Sequence, residues 1–350
     1  MCKGKAYSII NTNMRKGWII FMKVLLFNVN KDELNYIWEC NKQFKFELEF
    51  ADFDFNSAGK EQFSGIDAIW ITTNCKVNED KGSMLYEAGV RYIVSRAAGT
   101  DHIDVSALKK IGLKGGNVPK YSPNAIAEHT VCLTLMALRK MKRELKMIEN
   151  YDFSLTGLKG RELRNMTVGV IGTGRIGAET IKCLGGFGCQ LMGYDLYPNV
   201  EIAHLVSYKG LIDVIASSDI LILHCPLTKE NKRLIAADTI KLMKDGVVLI
   251  NTARGGLMDY NAVLEGIENG KISAAAFDVY DEETPYIRKK VKEEEFQSKT
   301  LKKLMDKENV IYTAHMSFFT DTAVENMIMT TFENLSEYDK SGQCSNEIIL

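Results

Sequence analysis

The chain has 350 residues, 46% hydrophobic and 25% charged, with a formal net charge of −1. That length holds two domains of ordinary size with full cores, and the composition is that of a soluble globular protein. The balanced charge argues against broad electrostatic binding to nucleic acid or anionic membranes, and no apolar stretch is long enough to span a bilayer.

Residues 1–21 carry Lys3, Lys5, Arg15 and Lys16 and no acidic residue. Lys23 interrupts the apolar run that follows and no small-residue cleavage site appears, so this segment reads as an N-terminal extension or an upstream start codon. "MKVLLFNV" from Met22 opens the first domain as a strand. Short apolar runs then alternate with segments of helical length: "KVLLFNV", "DAIWITT" and "RYIVSRA" come first. A long helical segment follows, opened by Pro123, whose first half is too apolar for one buried face and is expected to meet a second domain or subunit. The strand pattern restarts with "MTVGVIG", "QLMGYD", "DILILHC", "GVVLINTA", "ISAAAFDVY" and "NVIYTA", which is the signature of a parallel, doubly wound α/β sheet. Residues 281–309 are dense in charge and read as a solvated loop and surface helix. A last amphipathic helix over 320–340 folding back would make the first domain discontinuous. The expected domains are therefore 22–120 with 316–350, and 121–315. Eight cysteines, at 2, 40, 75, 132, 183, 189, 225 and 344, show no C-x-x-C or zinc spacing, and read as reduced thiols of a cytoplasmic protein with no metal.

The run from Met166 carries the clearest chemistry. A strand leads directly into Gly172-Thr-Gly174-Arg-Ile-Gly177 and a helix, and a second strand ends in Asp195. Gly172 allows the tight turn, Gly174 lets a pyrophosphate reach the backbone, and Gly177 lets helix and strand pack closely. The helix N-terminus faces the phosphates. A carboxylate at 195 accepts the adenosine ribose hydroxyls and repels a 2′-phosphate, which favours NAD over NADP.

NAD implies hydride transfer, and reduction of a carbonyl needs a proton donor. Of the five histidines, at 102, 129, 204, 224 and 315, His224 and His315 end strands, where ligands of doubly wound sheets collect. On the residues alone both stay candidates, and a packed core histidine is the competing reading of His315. Two further strand ends deliver Arg254, whose fork suits a carboxylate, and Asp278 with the acids after it. Together they suit a 2-oxo acid.

From Met22 to the C-terminus the sequence resembles the NAD-dependent D-2-hydroxyacid dehydrogenases, on "AAGTDHID", "VPKYSPNAIAEHT", "RELRNMTVGVIGTGRIG", "HCPLT", "NTARGG", "FDVYDEE" and "TAHMSFFTDTAVENM". It is most similar to the branch with D-lactate, 2-hydroxyisocaproate, phenyllactate and (R)-2-hydroxyglutarate dehydrogenases. The resemblance implies a flavodoxin-like substrate domain and a Rossmann NAD domain, with an interdomain cleft and a homodimer formed through the long helix. It implies that His315 gives the proton, that Glu283 keeps His315 charged and oriented, and that Arg254 clamps the carboxylate. His224 then becomes a cofactor-side residue. Ala98 and Gly99 would hold the carboxylate through backbone N–H groups, with Tyr121 and Phe318 lining the pocket. Asp278 would touch the nicotinamide amide, and Arg175, Ile176, Cys225, Pro226, Asn231, Thr252 and Ala253 would complete the NAD surface. The 2-hydroxyglutarate enzymes place an arginine where this chain has Thr72 and Thr73, leaving only Lys120 or Arg96 to compensate. Lactate or a larger apolar or aromatic substrate is therefore expected. An NAD-responsive corepressor is the alternative of a different class, but the Pro- and Ser-rich tail expected of one is missing.

Overall fold

The computed structural model describes residues 21–287 and 289–348. Residues 1–20 of the expected extension lie outside the described residues. The chain divides into two compact units, one running to Pro119 and resuming at Ile328, the other spanning Lys120–Met327.

The first unit is built on β1 (Lys23–Leu26), α1 (Leu34–Phe44), β2 (Glu47–Phe50), β3 (Ala68–Ile71), α2 (Glu79–Ala88), β4 (Tyr92–Ser95), α3 (Val105–Ile111) and β5 (Lys114–Asn117). Its strands are all parallel, in the order β2-β1-β3-β4-β5. This is the flavodoxin-like order, with its switch point between β1 and β3. Both faces are covered, as continuous apolar strands require. Leu25, Phe27, Ile69 and Ile71 face one cluster with Phe55, Phe63 and Leu85. On the other face, Trp70 meets Phe332 edge-on at 5.5 Å.

The second unit opens with α4 (Pro123–Leu138) and α5 (Met141–Glu149). Ser122 caps α4 by accepting the Ala125 N–H, and Pro123 occupies the first turn. The single long helix expected here is in fact two, because Lys140 adopts a left-handed φ of 55°. Then come β6 (Thr167–Ile171), α6 (Arg175–Gly185), β7 (Gln190–Tyr194), β8 (Ser207–Tyr208), α7 (Leu211–Ser217) and β9 (Ile220–Leu223). The unit continues with α8 (Ala237–Leu242), β10 (Val247–Asn251), α9 (Tyr260–Glu268), β11 (Ile272–Phe277), α10 (Lys299–Asp306) and β12 (Val310–Tyr312), and α11 (Asp321–Ser341) begins in it. The seven parallel strands lie in the order β12-β11-β10-β9-β6-β7-β8. Numbered from β6, the order 3-2-1-4-5-6 is the Rossmann arrangement with one strand added, and its switch point falls between β6 and β9.

Alternation along these strands divides the core in two. Val168, Val170, Ile220, Ile222, Val248 and Ile250 pack under α4 and α6. Leu221, Leu223, Val247, Leu249 and Phe277 pack on the opposite face, with α9 and α10. The doubly wound parallel architecture expected from the apolar runs is what both units display.

Candidate active site

The strand register places one row of residues across the second sheet. Tyr194 pairs with Ile171, Ile171 with Leu223, Leu223 with Asn251, Asn251 with Phe277 and Phe277 with Tyr312. The next residue on each strand is therefore at the same sheet edge: Asp195, Gly172, His224, Thr252, Asp278 and Thr313. Six separate stretches singled out in the sequence thus leave the sheet along one line, at the carboxyl ends where ligands of such folds bind.

At the switch point each glycine has its own geometric reason. Gly172 has φ +93°, and a Cβ there would lie 2.4 Å from the Cys225 nitrogen. A Cβ on Gly177 would lie 2.0 Å from the Gly172 carbonyl oxygen. At Gly174 a Cβ would meet nothing within 4 Å, so the turn ahead of Arg175 and Ile176 is open on the side a ligand approaches. Gly174 caps α6 without a side chain, which leaves the first N–H groups of the helix directed outward. Asp195 accepts the Thr173 N–H at 2.6 Å through one oxygen and the Tyr197 N–H at 2.9 Å through the other. Tyr208 donates its hydroxyl to Thr173 Oγ1 at 2.9 Å, bracing the loop from β8. These residues fit a dinucleotide: a helix start with no side-chain cap, a glycine with open space over it, and a carboxylate at the neighbouring strand end. Across the switch point, Asn231 accepts the Thr228 N–H at 2.7 Å and donates to the Pro226 carbonyl at 2.7 Å, fixing the Cys225–Asn231 loop. Burial pushes the Cys225 thiol up to about 11, which keeps it un-ionised.

β10 ends in a locked turn. The buried Asn251 receives the Ala253 N–H at 3.0 Å and donates to the Arg254 carbonyl at 3.0 Å. Arg254 emerges half-buried, with Nη1 donating to the Ala253 carbonyl at 2.8 Å. A Cβ on Gly255 would stand 2.2 Å from the Tyr280 carbonyl carbon, so only glycine lets this turn pass the backbone after β11. Thr252 Oγ1 meets Thr130 Oγ1 of α4 at 2.8 Å, inside the core.

His315 follows β12 in a left-handed conformation, φ +52°. Its Nδ1 lies 2.6 Å from Glu283 Oε1, and the other Glu283 oxygen accepts the Tyr280 N–H at 2.8 Å. Among the described residues Nε2 has no hydrogen-bond partner. Asp278 is fully buried, and its oxygens accept the N–H groups of Met316 and Ser317, each at 2.9 Å, and the Thr313 hydroxyl at 2.5 Å. Three hydrogen bonds to this carboxylate thus come from the turn that carries His315. Beside that turn the rings of Tyr121 and Phe318 meet edge-on, 6.4 Å apart.

The remaining histidines separate by environment. His224, the second strand-end candidate, lies against α6 with Nε2 2.9 Å from Thr180 Oγ1. Part of the residue reaches the surface, but its ring is enclosed, and burial pushes its pKa down to about 3. His204 is exposed, and His102 pairs with Ser95 Oγ at 2.9 Å in the first unit. In that unit Ala98 and Gly99 follow β4, and the Ala98 carbonyl accepts Asn117 Nδ2 at 2.8 Å. Arg96 is buried against Glu33, Nη1 to Oε2 2.8 Å, with both side chains 1% exposed. Thr72 is buried and receives Asn28 Nδ2 at 3.0 Å.

Sequence reasoning passed over His129, Thr130 and Thr313. The signal available for them was only that a polar pair interrupts the apolar face of α4, and that a threonine stands two residues before His315.

The family model described as D-isomer specific 2-hydroxyacid dehydrogenase, NAD binding domain, matches residues 131–317, more than half of the chain. An aromatic 2-oxoacid reductase of Clostridium sporogenes is 39% identical over 327 residues, covering 93% of this chain and 99% of the relative. The apo structure of D-lactate dehydrogenase from Escherichia coli superposes with a TM-score of 0.83 at 35% identity, covering 93% and 100% of the two chains. D-lactate dehydrogenase from Aquifex aeolicus, complexed with NAD and lactic acid, gives a TM-score of 0.83 at 30% identity and covers 93% and 99%.

Proposed function

Given that the chain belongs to the D-isomer specific 2-hydroxyacid dehydrogenase family, we propose that it reduces an apolar or aromatic 2-oxo acid to the (R)-2-hydroxy acid, with His315 as the proton donor. It is an NAD-dependent oxidoreductase. The observation that carries the reading is the row of strand ends, which brings the glycine loop, the Arg254 turn and the His315 turn to one edge.

Bound NADH supplies the hydride that adds to C2 of the oxo acid. The protein's part begins with Arg254, whose guanidinium binds two substrate oxygens and stabilises the negative charge that develops on the carbonyl oxygen. His315 delivers its proton from Nε2 to that oxygen. Glu283, on Nδ1 at 2.6 Å, selects the ring orientation that leaves Nε2 for the substrate. Asp195 is the proposed ribose ligand, and the N-terminal turn at Arg175 and Ile176 the phosphate ligand. Cys225, Pro226, Asn231, Thr252 and Ala253 form the proposed remainder of the NAD surface.

For the substrate side chain, the Tyr121–Phe318 ring pair beside the His315 turn supports an apolar occupant. Arg96 supports the same choice, since it lies buried against Glu33 and a distal carboxylate would have to compete with that ion pair. Lys120 alone then stands for the 2-hydroxyglutarate alternative. A homodimer in the cytoplasm is part of the proposal. Leu145 and Ile148 on α5, with Tyr151, Phe153 and Leu155 after it, are 43–85% exposed, apolar exposure that burial against a second copy would relieve. The described cysteines form no disulfide, which suits a reducing compartment.

The test is NADH oxidation with pyruvate, 2-oxoisocaproate, phenylpyruvate and 2-oxoglutarate, with chiral analysis of the product. The expected result is turnover of at least one of the first three, giving the R product, with 2-oxoglutarate at least about tenfold poorer in kcat/KM, since unpaired charge in an apolar site costs more than about 1.4 kcal/mol. Preference for 2-oxoglutarate would overturn the substrate assignment. Tight NADH binding without turnover of any would favour the NAD-responsive binding protein.

A further inference from the structure

His129 projects from α4 toward the β11 and β12 strand ends. Its Nε2 lies 3.2 Å from Thr313 Oγ1 and 3.8 Å from Asp278 Oδ1. Thr313 donates its one hydroxyl proton to Asp278 Oδ1 at 2.5 Å, so its oxygen can only accept from the imidazole. That fixes His129 as the tautomer protonated on Nε2. Burial lowers the His129 pKa below its usual value, in keeping with a neutral donor.

The downstream end of this chain is the His315 turn. Asp278 accepts the N–H groups of the two residues after His315 through its carboxylate. Its backbone carbonyl accepts the His315 N–H at 2.8 Å, and a second contact from that N–H reaches the Thr313 carbonyl at 3.0 Å. A non-glycine residue at φ +52° is in a sparsely populated conformation and persists only where its surroundings hold it. Asp278 and Thr313 together hold the backbone of the turn. Among the described residues, His129 is the side chain outside the turn that reaches both.

We propose that His129 is a positioning residue for the reaction: through Thr313 and Asp278 it holds the turn that aims His315 Nε2 at the substrate oxygen. The inference rests on the reading of His315 as proton donor. Without the His129 donor, the Thr313 oxygen loses the hydrogen bond that ties it to α4, and Asp278 and the two amides after His315 are held less firmly. Misplacement of a reacting group by about 1 Å costs roughly 10²-fold in rate. The effect falls on kcat, because neither the glycine loop nor the Asp195 end of the row is involved.

The experiment compares His129→Leu, which keeps bulk and loses the donor, with His129→Gln, whose amide nitrogen can donate from nearly the same place. Thr313→Val removes the middle hydroxyl, and His315→Ala is the control. His129→Leu is expected to lower kcat by about 10- to 100-fold with NADH Kd within about threefold of wild type. His129→Gln is expected to restore most of that loss. The double variant His129→Leu/Thr313→Val should be no slower than Thr313→Val alone, since the two act through one chain. Wild-type kcat in His129→Leu, equal loss in the Leu and Gln variants, or additive losses in the double variant would each overturn the inference. If instead His315→Ala keeps its activity, the underlying reading of the proton donor fails. If His129→Leu does not fold, Thr313→Val decides alone: a kcat loss with unchanged NADH Kd supports the chain, and wild-type kcat overturns it.

Discussion

His224 and Thr180 form a closed local unit: Thr180 donates its hydroxyl to the Ile176 carbonyl at 3.1 Å, so its oxygen accepts His224 Nε2–H at 2.9 Å. With its pKa pushed down to about 3 by burial, the ring stays neutral across the range in which a proton donor must cycle. The folded-state pKa is below the unfolded value of about 6.5, so this histidine's contribution to stability is fully present above that pH. It is lost as the pH falls from about 6.5 toward the folded value, at about 1.4 kcal/mol per pH unit. Urea unfolding at pH 7 and pH 5 checks this: His224→Asn is expected to reduce the stability lost between the two by roughly 2 kcal/mol, and an unchanged difference would contradict it. Strand position alone leaves His224 and His315 equivalent in the sequence. What separates them is enclosure by α6 in one case and a carboxylate on Nδ1 in the other, and neither is local in sequence. Arg96 has the same lesson: its buried pairing with Glu33 cannot be read from either neighbourhood.

The glycine loop was legible because its meaning is carried by a short contiguous run: strand, three spaced glycines, helix. The structure adds why Gly172 and Gly177 reject a side chain, and Gly177 is the sharper case. A Cβ there would press on the Gly172 carbonyl oxygen at 2.0 Å, backbone against backbone, so α6 would have to move away from the turn it covers. Gly177→Ala is expected to weaken NADH binding at least about tenfold, about 1.4 kcal/mol, in a fluorescence titration. An unchanged Kd would show that the turn can give without disturbing the phosphate site. The break between α4 and α5 was not legible, because neither glycine nor proline marks it and Lys140 takes the left-handed conformation itself. His129 and Thr313 were missed for a related reason. Their contact spans 184 residues and depends on α4 crossing the ends of β11 and β12.

At the scale of the whole molecule, the alternation of apolar runs and helices was enough for two parallel α/β units, since continuous apolar strands must be covered on both faces. The strand orders need tertiary pairing, so apolar runs alone do not give them; in the sequence they were reachable only through the family resemblance. The row of strand ends that sets Asp195, Gly172, His224, Thr252, Asp278 and Thr313 side by side needs the same pairing. The chemistry assigned to that row depends on one proton donor. The most direct measurement is kcat for reduction of phenylpyruvate and pyruvate by wild type and His315→Ala, together with NADH Kd for both. Loss of a general acid lowers kcat by about 10²–10⁴-fold, with NADH Kd expected within about threefold. Turnover by His315→Ala within about tenfold of wild type would place the proton donor elsewhere, since that loss is below the smallest expected of a missing general acid.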